Sequence, residues 1–130
     1  GLNLGDNTFA ALLTRGLSEM AKLSVKMGGD PKTIYGLTGL GDLIVTCMSN
    51  HSRNRRAGIL IGQGKTIEEA KKEIGMTIES IDNIQTAYKL SKKYNAQMPI
   101  VNAVYEVLFE GLDAKEAIAN LMTRNPKFED

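Results

Sequence analysis

Histidine and cysteine occur once each in this chain, and most of the chemistry that proteins build from them is thereby excluded. A lone cysteine, Cys47, forms no internal disulfide and fits a reducing compartment. One His and one Cys do not make a zinc cluster. His51 stands in a polar break beside Ser52, without the context of an oriented Ser-His-Asp triad. No apolar run approaches the roughly 18 residues of a membrane span, and no basic-then-apolar leader is present, so neither a transmembrane helix nor a secretory signal is expected. Charge of one sign is missing too: the net charge of +1 offers no broad attraction for nucleic acid or membrane. There is no Gly-x-Gly-x-x-Gly opening a βαβ unit and no P-loop, hence no nucleotide fold within these residues.

What is present reads as helix. At 42% apolar and 24% charged, 130 residues suit one soluble globular domain. No segment alternates with period two, so the expected fold is an all-α multi-helix bundle of about seven to nine helices. Asp6 or Asn7 is expected to cap a helix running to about Met27, with Phe9, Leu12, Leu13, Leu17, Met20, Leu23 and Met27 as its apolar positions. Gly16, costly inside a helix, suggests close packing against another helix or a local kink. Asp30-Pro31 starts a short helix ending near Gly36. Helices are expected over 40–48, from Arg53 to about Ile61, and from a Thr66–Glu69 capping box to about Ile74. Others follow from about Ser80 to Tyr94, from Pro99 to Phe109 with Ile100, Val101, Val104, Tyr105 and Leu108 inward, and from a second box at Asp113–Glu116. The chain begins at Gly1 near a helix entry, without a methionine, and is expected to be part of a longer protein.

The unusual stretch is 36–58, GLTGLGDLIVTCMSNHSRNRRAG. Asp42 and Thr46 stand four apart in an apolar run, on one face if it is helical. A carboxylate and a hydroxyl in such surroundings call for partners, because burial without them costs free energy. Arg53, Arg55 and Arg56 then crowd a helix start, and guanidinium is the planar fork that suits phosphate.

These residues carry a resemblance. Leu4-Gly5-Asp6-Asn7-Thr8, Ala10 to Gly16, Gly39-Leu40-Gly41-Asp42-Leu43, Thr46-Cys47 and Ser52-Arg53-Asn54-Arg55 come in order. Gly62-Gln63-Gly64, Met98-Pro99-Ile100, Val104-Tyr105 and Leu108-Phe109-Glu110-Gly111 follow them. Together they resemble the C-terminal helical domain of bacterial NAD(P)-dependent glycerol-3-phosphate dehydrogenases, over essentially the whole chain. The resemblance implies a domain of the 6-phosphogluconate dehydrogenase C-terminal-like type over residues 1–130, preceded by a Rossmann domain that lies outside this chain. It implies hydride transfer between NAD or NADP and dihydroxyacetone phosphate, giving sn-glycerol 3-phosphate for glycerophospholipid synthesis. A cytoplasmic enzyme, possible as a homodimer, is implied as well.

In that family a lysine near the domain junction meets the substrate oxygen; no lysine precedes Lys22 here, so the chain alone is expected to be inactive. Asp42 resembles the active-site aspartate with Thr46 as its partner, Arg53 and Asn54 the pair that holds the substrate phosphate, Arg53 also approaching the cofactor. Asn7 is a further candidate in the cleft. Glu79 is a cofactor-side candidate, although Ser80 replaces the glycine usual after it. Blander readings stand beside these: Asp42 or Asn7 as a helix cap, Thr46 bonded back to the Asp42 carbonyl, Arg55 and Arg56 solvated or salt-bridged, Cys47 a packed thiol. A helical protein-interaction module is the alternative class, and a small nucleic-acid-binding domain is disfavoured by the charge.

Overall fold

The computed structural model describes residues 2, 5–36 and 52–123. The helix expected over 40–48, and with it Asp42, Thr46, Cys47 and His51, lies outside them. The described residues form seven α-helices: α1 (Asp6–Lys26), α2 (Pro31–Tyr35), α3 (Arg53–Gly62), α4 (Ile67–Ile74), α5 (Glu79–Lys93), α6 (Pro99–Phe109) and α7 (Ala114–Met122). The all-α multi-helix bundle is thus what the sequence predicts. None of these helices is long and apolar enough to cross a membrane.

Local caps start four of the helices as their sequences dictate. The Asp30 carboxylate accepts from the Lys32 N–H at 3.0 Å, with Pro31 supplying the fixed φ of a first helical residue. Ser52 Oγ accepts from Arg55 N–H at 3.2 Å. Thr66 and Glu69 make a complete capping box, each arm 3.1 Å long. The Thr66 N–H and hydroxyl hold the Glu69 carboxyl below its ordinary range. Asp113 accepts from Glu116 N–H at 3.2 Å, but the Glu116 carboxylate does not return the bond, so the second box expected is a single cap. At α1 the expectation needs correction: the N-cap is Gly5, with φ +85° and no side-chain cap, so Asp6 and Asn7 already belong to the first turn. Such a φ is open to glycine at no steric cost, which lets the helix begin one residue earlier than a capping Asp or Asn would.

Helices α5 and α6 are different. Their N-caps are Ile78 and Met98, both buried and neither with a side-chain oxygen to cap its own helix. The first N–H groups of a helix have no intrahelical partner, so they must be met from elsewhere. For α6 the partner is Glu19 of α1, which is 3% exposed. Its carboxylate accepts from Ile100 N–H at 2.7 Å and Val101 N–H at 3.3 Å. Arg15, one turn earlier on the same face of α1, donates to the Leu121 carbonyl in the last turn of α7 at 2.9 Å. Lys26, two turns later, donates to the Asn95 carbonyl just past the end of α5 at 2.7 Å. In all three the charge matches the helix end: an anion at an N-terminus, cations at C-termini.

Around this helix the packing runs α1 on α2 and α6, α5 on α6, α6 on α7, and α3 on α4 and α7. Ala57, Ile74, Ile78 and Ile81 form a buried cluster, with Leu60 and Ile67 against it. Tyr88 of α5 stacks on Tyr105 of α6 with ring centres 3.9 Å apart and planes 7° from parallel. Gly16 lies toward α6, but a β-carbon there would sit 4.0 Å from Ile100 Cδ1, an ordinary contact, so the expected close packing does not itself demand glycine. Four expected core positions are exposed: Phe9 and Met20 of α1, Met27 at its C-cap, and Val104 of α6. The first three stand about three and two turns apart along one line of α1. Residues such as Leu17 and Ala21 on one side of that line and Glu19 on another take the buried faces instead.

Replacing Glu19 with alanine leaves two N–H groups at the head of α6 without their acceptor and should cost about 2–4 kcal/mol in urea unfolding. The Glu69 shift has a definite sign. Its folded pKa is lowered, so its contribution is complete above the ordinary carboxylate pKa and disappears as pH falls through the lowered value. The stability gap between the wild type and Thr66→Ala, measured by urea unfolding in a pH series, should therefore shrink on acidification below about pH 4.5.

Candidate functional site

The head of α3 carries the residues singled out for phosphate. Ser52 places it: its Oγ takes the Arg55 N–H and its carbonyl receives Arg56 N–H at 3.0 Å, the first bond of the helix. Of the early N–H groups, those of Arg53 and Asn54 are the two that this cap leaves over. The first turns of α4, α5 and α7 contain acids, Glu68 and Glu69, Glu79 and Asp82, and Glu116, as the helix dipole favours. The first turn of α3, like those of α2 and α6, contains no acid. It has Arg53, Arg55 and Arg56 where basic side chains oppose the dipole, a cost of roughly 0.3–1 kcal/mol each that helix stability does not explain.

Asn54 and Glu79 are far apart in sequence, and the fold brings their neighbourhoods together. Asn54 Oδ1 accepts from the Ser80 N–H at 3.2 Å, so α3 caps α5 across the interface. Ala57, 2% exposed, belongs with Ile78 and Ile81 to the buried cluster at this junction. Gly75 in the left-handed conformation, φ +71°, turns the chain from α4 back toward this point. Ser80 itself has no positive φ, so its replacement of a glycine introduces no backbone strain. Asn54 and Ser80 border an apolar hollow of about 410 Å³ whose walls include Ile81, Ile100, Val107 and Leu121.

The candidate residues fall at several places in the fold. Arg53 is half-buried and Asn54 exposed at the head of α3, and Glu79 is exposed at the head of α5. Arg55 is half-buried and partnered, and Arg56 is exposed. Asn7 is exposed in the first turn of α1 and is not the cap of that helix. Asp42 and Thr46 are outside the described residues. The part played by Ser80 was not foreseen from the sequence. The signal was available: an apolar Ile78 before a helix start leaves that helix without a cap of its own.

With this geometry in view, the chain can be set beside known proteins. Residues 1–119 match the family model described as NAD-dependent glycerol-3-phosphate dehydrogenase C-terminus. The chain belongs to that family. It is 59% identical over 129 residues to a glycerol-3-phosphate dehydrogenase (NAD(P)+) of Fusobacterium nucleatum, a match covering 99% of the chain and 38% of the relative. A protein with the same description from Thermoanaerobacter is 57% identical, with 99% of the chain and 39% of the relative covered. The crystal structure of glycerol-3-phosphate dehydrogenase from Coxiella burnetii superimposes with a TM-score of 0.92 at 44% identity, over 95% of the chain and 38% of that structure. The chain therefore spans about two fifths of the length of the curated relatives it matches.

Ser52→Ala removes the side-chain cap beneath the arginine cluster. It should destabilise the fold by about 1 kcal/mol in chemical unfolding, with the far end of α3 unaffected in amide exchange.

Proposed function

We propose that the chain is the substrate-binding helical domain of an NAD(P)-dependent glycerol-3-phosphate dehydrogenase. The longer protein moves a hydride between NAD(P)H and dihydroxyacetone phosphate, giving sn-glycerol 3-phosphate for glycerophospholipid synthesis in the cytoplasm. Its Rossmann domain precedes these residues, and the helical domain is of the 6-phosphogluconate dehydrogenase C-terminal-like type. The enzyme is proposed to act as a homodimer. Within the family, the observation that supports this reading best is the head of α3, where three arginines sit against the dipole and two early N–H groups remain for an anion.

Arg53 and Asn54 hold the substrate phosphate. The guanidinium supplies a planar pair of donors, the Asn54 amide a further donor, and the helix N-terminus the positive end of its dipole. Asp42 keeps the upstream lysine charged and aimed, with Thr46 bonding that carboxylate. As the ketone is reduced, negative charge grows on its oxygen, and that ammonium neutralises or protonates it. Asn7 completes the polar lining of the cleft. The nicotinamide supplies the hydride. Arg53 and Glu79 meet the cofactor in this reading, which the joining of their two helix heads by the Asn54–Ser80 bond supports. A guanidinium and an exposed carboxylate suit its phosphates and hydroxyls, whereas most of its surface is held by the preceding domain.

The test is an assay of NADH and NADPH oxidation with dihydroxyacetone phosphate, using the full-length protein that contains these residues. Turnover is expected, and Arg53→Ala should raise KM for dihydroxyacetone phosphate about ten- to a hundredfold with a smaller change in kcat. Absence of turnover with both cofactors would dismiss the reading.

A further inference from the structure

Asn54 poses a question that the phosphate reading does not answer. Its side chain stands in the first turn of α3 and, through Oδ1, at the first turn of α5. Both are positive dipole ends. Aspartate would cap as well as asparagine and would add favourable charge at both heads. An amide in this place gives up that stabilisation and has one thing a carboxylate lacks, an NH2 group.

An amide that is free to turn offers its oxygen and its nitrogen about equally, since the terminal torsion is broad and roughly two-fold. Here the choice is made by Ser80. A backbone N–H only donates, so the atom facing it at 3.2 Å is the carbonyl oxygen, and the NH2 is left on the other side. Turning the amide over would set two donors against each other and leave the Ser80 N–H unmet at a helix head whose own N-cap, Ile78, has no side-chain acceptor.

We infer that Ser80, through its backbone N–H, is a positioning residue for Asn54: it fixes the amide so that the NH2 end is presented at the head of α3 as an anion donor. This rests on the reading of α3 as the phosphate seat and adds what holds that seat in its binding form. It also accounts for the tolerance of serine after Glu79, because the interaction uses the main chain and leaves the side chain out.

The experiment uses the full-length enzyme and reads KM for dihydroxyacetone phosphate alongside hydrogen exchange of the Ser80 amide. Asn54→Asp should keep the Ser80 amide protected and the melting temperature at least as high, yet raise KM about ten- to a hundredfold with little change in kcat. Asn54→Ala should lose both the protection and the affinity. Ser80→Pro, lacking the N–H, should raise KM in the wild-type background and add nothing in Asn54→Asp, while Ser80→Ala, which retains the N–H, keeps the wild-type value. A wild-type KM in Asn54→Asp, or in a folded Ser80→Pro, overturns the inference. If Ser80→Pro does not fold, the Asp and Ala variants of Asn54 decide it between them. If the wild-type enzyme shows no turnover, the functional reading fails separately. Inorganic phosphate titrated into wild type and Asn54→Asp is then the deciding measurement: tighter binding to wild type upholds the inference, and equal binding refutes it.

Discussion

The carboxylate of Glu19 under the head of α6 is the constraint on which the arrangement of helices depends. A buried acid is expensive unless its lone pairs are taken, and two main-chain N–H groups take them. The same bonds serve α6, whose entry residue Met98 is spent on the core and offers no side-chain cap. Each side solves the other's problem, so neither helix can shift along the other without exposing both. Arg15 and Lys26 extend the pattern along one face of α1, meeting the carbonyl ends of α7 and α5. One helix thereby registers the ends of three others, with charges chosen to match their dipoles.

The Asn54–Ser80 bond repeats this device at the candidate site with a neutral group. Where Glu19 is buried and serves architecture, Asn54 is exposed and keeps a donor in reserve. The difference follows from surroundings: an acid suits a dry contact between two helices, and an amide suits the anion seat proposed at the head of α3. The arginines in the same turn point the same way, since they oppose the dipole that the acids of α4, α5 and α7 complement.

How much of this could be read from the sequence depends on the range of the interaction. Caps at Asp30, Ser52, Thr66 and Asp113 join residues two or three apart, and their residue types announce them. Helix ends followed within a residue or two, except at α1, where glycine at position 5 replaced the expected side-chain cap. Arg53 stood out as one of three arginines at a helix start, whereas Asn54 became a candidate only through the family resemblance. The caps from Glu19, Arg15 and Asn54 were not, since periodicity says which face is polar and nothing about what that face will meet. Apolar periodicity likewise overcounted the core, placing Phe9, Met20, Met27 and Val104 inside when the described residues leave them exposed.

The sequence distances of the α1 contacts bear on how the domain comes into being. Glu19 waits for partners 81 and 82 residues downstream, Lys26 for one 69 downstream, and Arg15 for one 106 downstream. A ribosome delivers α1 first and α7 last of the described helices. The head of α6 can take up the Glu19 carboxylate only once α6 has emerged, and Arg15 reaches the Leu121 carbonyl only when α7 follows. Closing such long loops is entropically costly and is rewarded only when the far helices arrive. The bundle is thus built to close late and together, leaving the nascent chain dependent on its final turns before its first helix is settled.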